Sequence, residues 1–146
     1  MEPLAPAPRL LAATLTAYET VESQTPDAQA AAAQRVWQRL SHHLFNVLGT
    51  VGFHALLDRS LAQTRKQFPW LASVRIDSDG SLNGLGECVR ELSAGEATDG
   101  LVELLAHFVQ VLASLIGAAL TLRLVQRVWP ELDLSQMASR WEGVES

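Results

Sequence analysis

Leu101 to Trp129 reads LVELLAHFVQVLASLIGAALTLRLVQRVW, a stretch without proline that is apolar at most positions. Residues three and four apart share a helix face. The interruptions Glu103, His107, Gln110, Ser114, Gly117 and Thr121 alternate between those two spacings and so form one narrow polar stripe. A helix that is apolar nearly all round belongs in a protein core, at an oligomer interface or in a membrane. The pattern predicts one long helix over about 98–129, with Thr98 as its cap and Pro130 as its stop. Arg123 and Arg127 fall in the last turns, where the helix dipole favours positive charge.

The 146 residues are one domain's worth, long enough to bury a core without disulfide or metal. Hydrophobic residues make up 48% but aromatics only 6%, so the core is built from Leu, Val and Ala, which favour helices. A net charge of -5 and scattered basic residues argue against nucleic acid, whose phosphates demand a concentrated basic surface. Cys88 is the one cysteine, which excludes an intrachain disulfide and fits a reducing cytoplasm. The start, MEPLAPAPRLLAATLT, has an acid and three prolines where a signal peptide has positive charge. The Ala, Leu and Arg usage suggests a GC-rich bacterial genome.

Outward from the central stretch, the other segments read as its cover. Pro8 suits the first turn of a helix from Arg9 to about Glu22, with Leu11, Leu15, Tyr18 and Val21 on one face. Thr25 and Pro26 open a second helix, whose apolar face climbs through Ala33, Val36 or Trp37, Leu40, Leu44, Val47 and Leu48. Gly49 and Gly52 predict a break or tight corner, since each glycine costs a helix about 1 kcal/mol relative to alanine. A further helix over about 51–67 presents Phe53, Leu57, Leu61, Thr64 and Phe68 and is stopped by Pro69. Phe68 to Leu71 form an apolar corner from which a tryptophan can lie over neighbouring helix ends. Around Val74 to Leu82 the pattern alternates about an Asp79-Gly80 turn, which predicts a loop or small hairpin. One or two helical turns follow from Glu87. After Pro130, the residues Leu134, Met137, Ala138 and Trp141 recur at helical spacing behind Asp133.

The residues that could carry chemistry do not converge. Glu103 and His107 lie one turn apart, but the further glutamates of a di-metal bundle are missing from the other apolar faces, and His42 and His43 point in different directions. The Asp77 to Glu87 segment fails the calcium-loop pattern at both ends. No nucleophile elbow, phosphate loop or zincin histidine pair is present. A membrane span needs about 20 apolar residues, and the 104–122 window has the length but holds His107 and Gln110, with Glu103 at its edge.

The fold expected is therefore all-α: a bundle of three or four principal helices around the long one at about 98–129. It carries a loop or hairpin insert near 72–86, a mobile N-terminus over about 1–8 and a short amphipathic segment over about 133–142. The function expected is a non-enzymatic, cytoplasmic interaction module, an adaptor or regulatory subunit, homodimeric and without cofactor or metal. Its contact residues would be the small Ser114, Gly117 and Thr121, which could admit a second helix, together with Leu134, Met137 and Trp141, an apolar face of the kind that inserts into grooves. If the stripe instead faces water, it is the polar edge of a core helix. Two other readings are a small-molecule sensor with a pocket at Glu103, His107 and Gln110, and a protein anchored in a membrane by residues 101–122.

Overall fold

The computed structural model describes residues 6–20, 25–78, 81–135 and 137. Along them run α1 (Pro6–Glu19), α2 (Pro26–Gln67), a 3-10 turn (Pro69–Ser73), β1 (Arg75–Ile76), β2 (Leu82–Asn83), α3 (Leu85–Val89), α4 (Ala94–Ile116) and α5 (Ala118–Val128). The fold is all-α, a helical bundle with one two-stranded ribbon. α1 begins earlier than its apolar spacing suggests and ends at Glu19; Val21 and Glu22 lie outside the described residues. Leu11 and Leu15 are buried on it, while Tyr18 is exposed.

Thr25 caps α2 by accepting the Ala28 N–H at 3.2 Å, and Pro26 occupies the first turn, where a missing N–H costs nothing. A straight helix of 42 residues would reach about 63 Å. Gly49 prevents that: its φ of 77° and ψ of 162° lie in a region that only glycine enters freely, and it divides α2 into arms 26–48 and 50–67. Trp37 and Phe53 would stand about 24 Å apart on a straight helix. Both nevertheless pack on Phe108 of α4, at ring-centroid distances of 5.1 and 5.4 Å, so the two arms fold onto the same neighbour.

The long apolar stretch is two helices, which corrects the single helix expected over about 98–129. Gly117, at φ 91° and ψ 154°, ends α4 and starts α5. Nor is Thr98 the cap: Ser93 accepts the Glu96 N–H and Glu96 returns a bond to the Ser93 N–H, a closed capping box that starts α4 at Ala94. The reason for the break is burial. A straight helix over 94–128 would run about 52 Å, against about 35 Å for the first arm of α2, and would carry its last turns past the core. The corner at Gly117 instead returns Leu122, Val125, Val128 and Trp129 to burial, with Trp129 at 0% exposure.

The two breaks lie at one end of the molecule. Gln29 and Thr98 line the same small cavity, and Trp37 meets Phe108, so the first arm of α2 runs alongside α4 in the same direction. Gly49 and Gly117 then follow at similar distances along the two helices. The second arm of α2 returns to the opposite end, where the Trp70 indole lies over Gly100. A Cβ on Gly100 would stand 2.3 Å from the Trp70 Cζ2, so only glycine fits beneath the ring.

The insert near 72–86 is an antiparallel pair, Arg75 opposite Asn83 and Ile76 opposite Leu82; Asp79 and Gly80 lie outside the described residues. A ribbon this short is marginal by itself. Side chains of α2 fasten it to the bundle: Gln34 donates to the Leu82 carbonyl, and Arg65 donates to the carbonyls of Leu71 and Val74.

Candidate functional site

The polar stripe read from the sequence does not act as a unit. Its first member, Glu103, is buried, and its carboxylate meets the Arg9 guanidinium of α1 at 3.0 Å. His107 sits one turn on, its Nε2 buried without a hydrogen-bond partner and 4.0 Å from Glu103, beyond hydrogen-bond reach. Gln110 is half-buried, whereas Ser114 is exposed and donates to the Val111 carbonyl at 2.7 Å. Gly117 is exposed at the corner. Thr121 is fully buried and donates to the Gly117 carbonyl at 2.8 Å, so it is not open to a second subunit, because the corner at Gly117 turns it inward.

Burial pushes the His107 pKa down, and the Glu103 carboxylate opposes this only in part. The unfolded chain, with a histidine near 6.5, therefore binds a proton more readily than the native chain. Stability should be unaffected well above that value and should fall as pH drops through it towards the lower native pKa. Urea unfolding at about pH 7.5 and about pH 5.5 should show a smaller acid loss for His107→Gln than for the parent. Equal losses would assign the effect to other groups.

The most connected polar cluster in the described chain was not legible as such. Arg35 and Arg39 share one face of α2, a single turn apart, and both reach the end of α1. Arg35 donates to the Glu19 carbonyl, and Arg39 Nη1 meets the Glu19 carboxylate at 2.8 Å. The same carboxylate accepts the Trp129 indole N–H at 2.8 Å. Arg39 also donates to the Val128 carbonyl at 2.6 Å and to Glu131 at 3.1 Å, and lies over the Trp129 ring at 5.1 Å. Two arginines thus satisfy carbonyls left open at the C-termini of α1 and α5, where the helix dipole favours positive charge. The signal in the sequence was the Arg-x-x-x-Arg spacing within QRVWQRL, which by periodicity marks only a polar face. These groups are already committed to one another, so the cluster is a clasp joining α1, α2 and α5.

The tail is held in a similar way. Gln126 donates to the carbonyls of Trp129 and Leu132 and accepts the Leu134 N–H at 3.0 Å, which turns the chain back against α5. Leu134 is buried and Met137 packs on the core. Leu134 thus belongs to the molecule's own core and Met137 is half-buried against it; Ala138 and Trp141 lie outside the described residues. Cys88 is half-buried, and burial followed by the Glu87 charge raises its thiol pKa, the opposite of an activated nucleophile.

What remains open is apolar. Five large hydrophobic side chains are exposed among the described residues, and four of them lie within three residues of Gly49 or Gly117: Val47 (53%), Val51 (84%), Leu115 (65%) and Leu120 (43%). Since both corners lie at one end of the bundle, these side chains gather there. Among the described residues α4 alone is long and apolar enough to cross a membrane, and 56% of its most apolar window is buried inside the molecule. In comparisons with family models, curated proteins and solved structures, nothing matches the chain.

Proposed function

We propose that this chain is a non-enzymatic interaction module, an adaptor or regulatory subunit that pairs with a second copy of itself through the end bearing the two helix corners. The observation that carries the reading is the concentration of exposed apolar side chains at Gly49 and Gly117. Scattered surface leucines and valines are ordinary, but a local group of them favours a partner, since covering apolar area stabilises by about 25 cal/mol per Å². Ser114 and Gly117 lie beside Leu115 and are small enough to admit close approach. A two-fold pair is the commonest closed assembly, and one patch meeting itself satisfies it. The polar groups of the clasp and the tail support a non-catalytic reading, because Glu19, Arg35, Arg39 and Gln126 are engaged in tying segments together.

Light scattering over a concentration series tests it. The expected mass approaches twice the 15.9 kDa of the chain, and Leu115→Asp returns it to one chain mass with an unchanged circular-dichroism spectrum. A single-chain mass at every concentration would overturn the homodimer.

A further inference from the structure

We infer that self-pairing exchanges α5: the corner at Gly117 opens, α4 and α5 run on as one helix, and each α5 docks in the seat that the other copy's α5 leaves. This rests on the proposed pairing and states what each copy gives the other. The seat is on view, because the chain's own α5 fills it. Leu122, Val125, Val128 and Trp129 are buried there, and Arg39 and Glu19 receive the end of the helix through the Val128 carbonyl and the Trp129 indole. An α5 from a second copy meets the same groups, so the exchange forfeits no contact away from the hinge.

The hinge is a single residue, since α4 ends at Ile116 and α5 starts at Ala118. At Gly117 a Cβ would meet nothing within 4 Å, so no neighbour packs against the corner to hold it shut. Short strained hinges favour exchange. The Gly117 dihedrals also interrupt the helical ladder, turning the N–H groups of Ala118, Ala119 and Leu120 away from the carbonyls four residues earlier, and no side chain caps α5. Straightening restores those bonds.

The sequence is in phase for the straight form. Leu104, Phe108, Val111, Leu115, Ala118 and Leu122 follow one another at spacings of four and three across Gly117, so one straight helix carries them on a single apolar face. In the bent form that face is broken at the corner: Leu104 and Phe108 are fully buried, whereas Leu115 is 65% exposed. The direction fits as well. The Val128 carbonyl meets Arg39, about 15 Å before Gly49 along the first arm of α2, so α5 runs back from the corner end, antiparallel to α4. A two-fold axis between α4 and α5 at that end sets the partner's α5 seat in line with α4, and the last turns that overrun one core enter the other.

Two measurements on the full chain test this. Tyr18 of α1 lies beside Glu131, which follows α5 wherever it docks. In a Cys88→Ser background, Tyr18→Cys with Glu131→Cys in the isolated dimer should be joined between chains by a short bismaleimide, giving a two-chain band on a denaturing gel. Joining within single chains, or no joining, would overturn the exchange and leave the pairing standing, whereas a one-chain mass at every concentration would overturn both. Independently, Gly117→Ala should tighten pairing about ten-fold, because alanine is strained at a φ of 91° and at ease in a helix. Unchanged or weaker pairing would overturn the exchange. If Gly117→Ala fails to fold, as a melting curve would show, the cross-link decides alone.

Discussion

Arg39→Met is expected to destabilise the protein by about 3 kcal/mol, the lower end of the range for breaking a buried ion pair. The Glu19 residue is only 8% exposed, and its carboxylate is neutralised chiefly by Arg39 at 2.8 Å, with Arg35 Nε farther off at 3.8 Å. Methionine keeps an unbranched apolar stem against Trp129 and removes the fork of donors, so the loss reports the polar bonds more than the packing. Three acceptors lose a donor together: the Glu19 carboxylate, the Val128 carbonyl and Glu131. The low end of the range applies because the Arg39 side chain is 31% exposed, so water takes up part of the deficit. Urea unfolding measures the loss. Adding Glu19→Gln should recover part of it, since a neutral amide is less costly to leave short of partners than a carboxylate. A loss below about 0.5 kcal/mol, the scale of an ordinary surface substitution, would show that the clasp contributes little.

The features of the fold that follow from short-range chemistry were legible in the sequence. Thr25 with Pro26, Gly49, Pro69 and the hairpin about residue 79 each impose a local constraint, and each sits where that constraint implies. Gly117 shows the limit. Glycine inside an apolar run is tolerated in a helix at about 1 kcal/mol, so periodicity read through it. What breaks the helix is tertiary: α5 buries its apolar face only by turning back, and no local pattern states how long the core is. Ser93 with Glu96 is hidden for another reason: the capping-box spacing is present, but the apolar run of the helix begins later. The clasp was hidden because it joins Glu19, Arg39 and Trp129, which are distant in sequence, and pairing between distant polar residues leaves no period. Val47 shows a converse error: it belongs to the apolar face of α2 by spacing, yet is 53% exposed, because the core ends before the corner does.

That dependence on one shared core leads to the largest effect expected of a single substitution, Phe108→Ala. Phe108 is fully buried and, among the described residues, is the one ring touched by aromatic side chains from both arms of α2, Trp37 edge-on at 5.1 Å and Phe53 at 5.4 Å. Phe53 in turn packs on Phe45 at 5.1 Å, across the Gly49 corner. Truncating a buried phenylalanine costs about 3–5 kcal/mol through lost transfer energy and the cavity left behind. The upper part of that range applies here, because the Trp37 and Phe53 rings packed on it leave little that can collapse into the space. Against a typical domain stability of about 5–15 kcal/mol, such a loss brings the fold close to its threshold. The pattern of the loss is as informative as its size. If Phe108 joins both arms to α4, amide exchange in residues 30–48 and 50–64 should accelerate together, whereas acceleration in one arm alone would mean that the arms are held separately. Phe108→Leu should retain most of the stability by refilling the volume, and a loss from Leu as large as from Ala would shift the cause from the cavity to the aromatic contacts themselves.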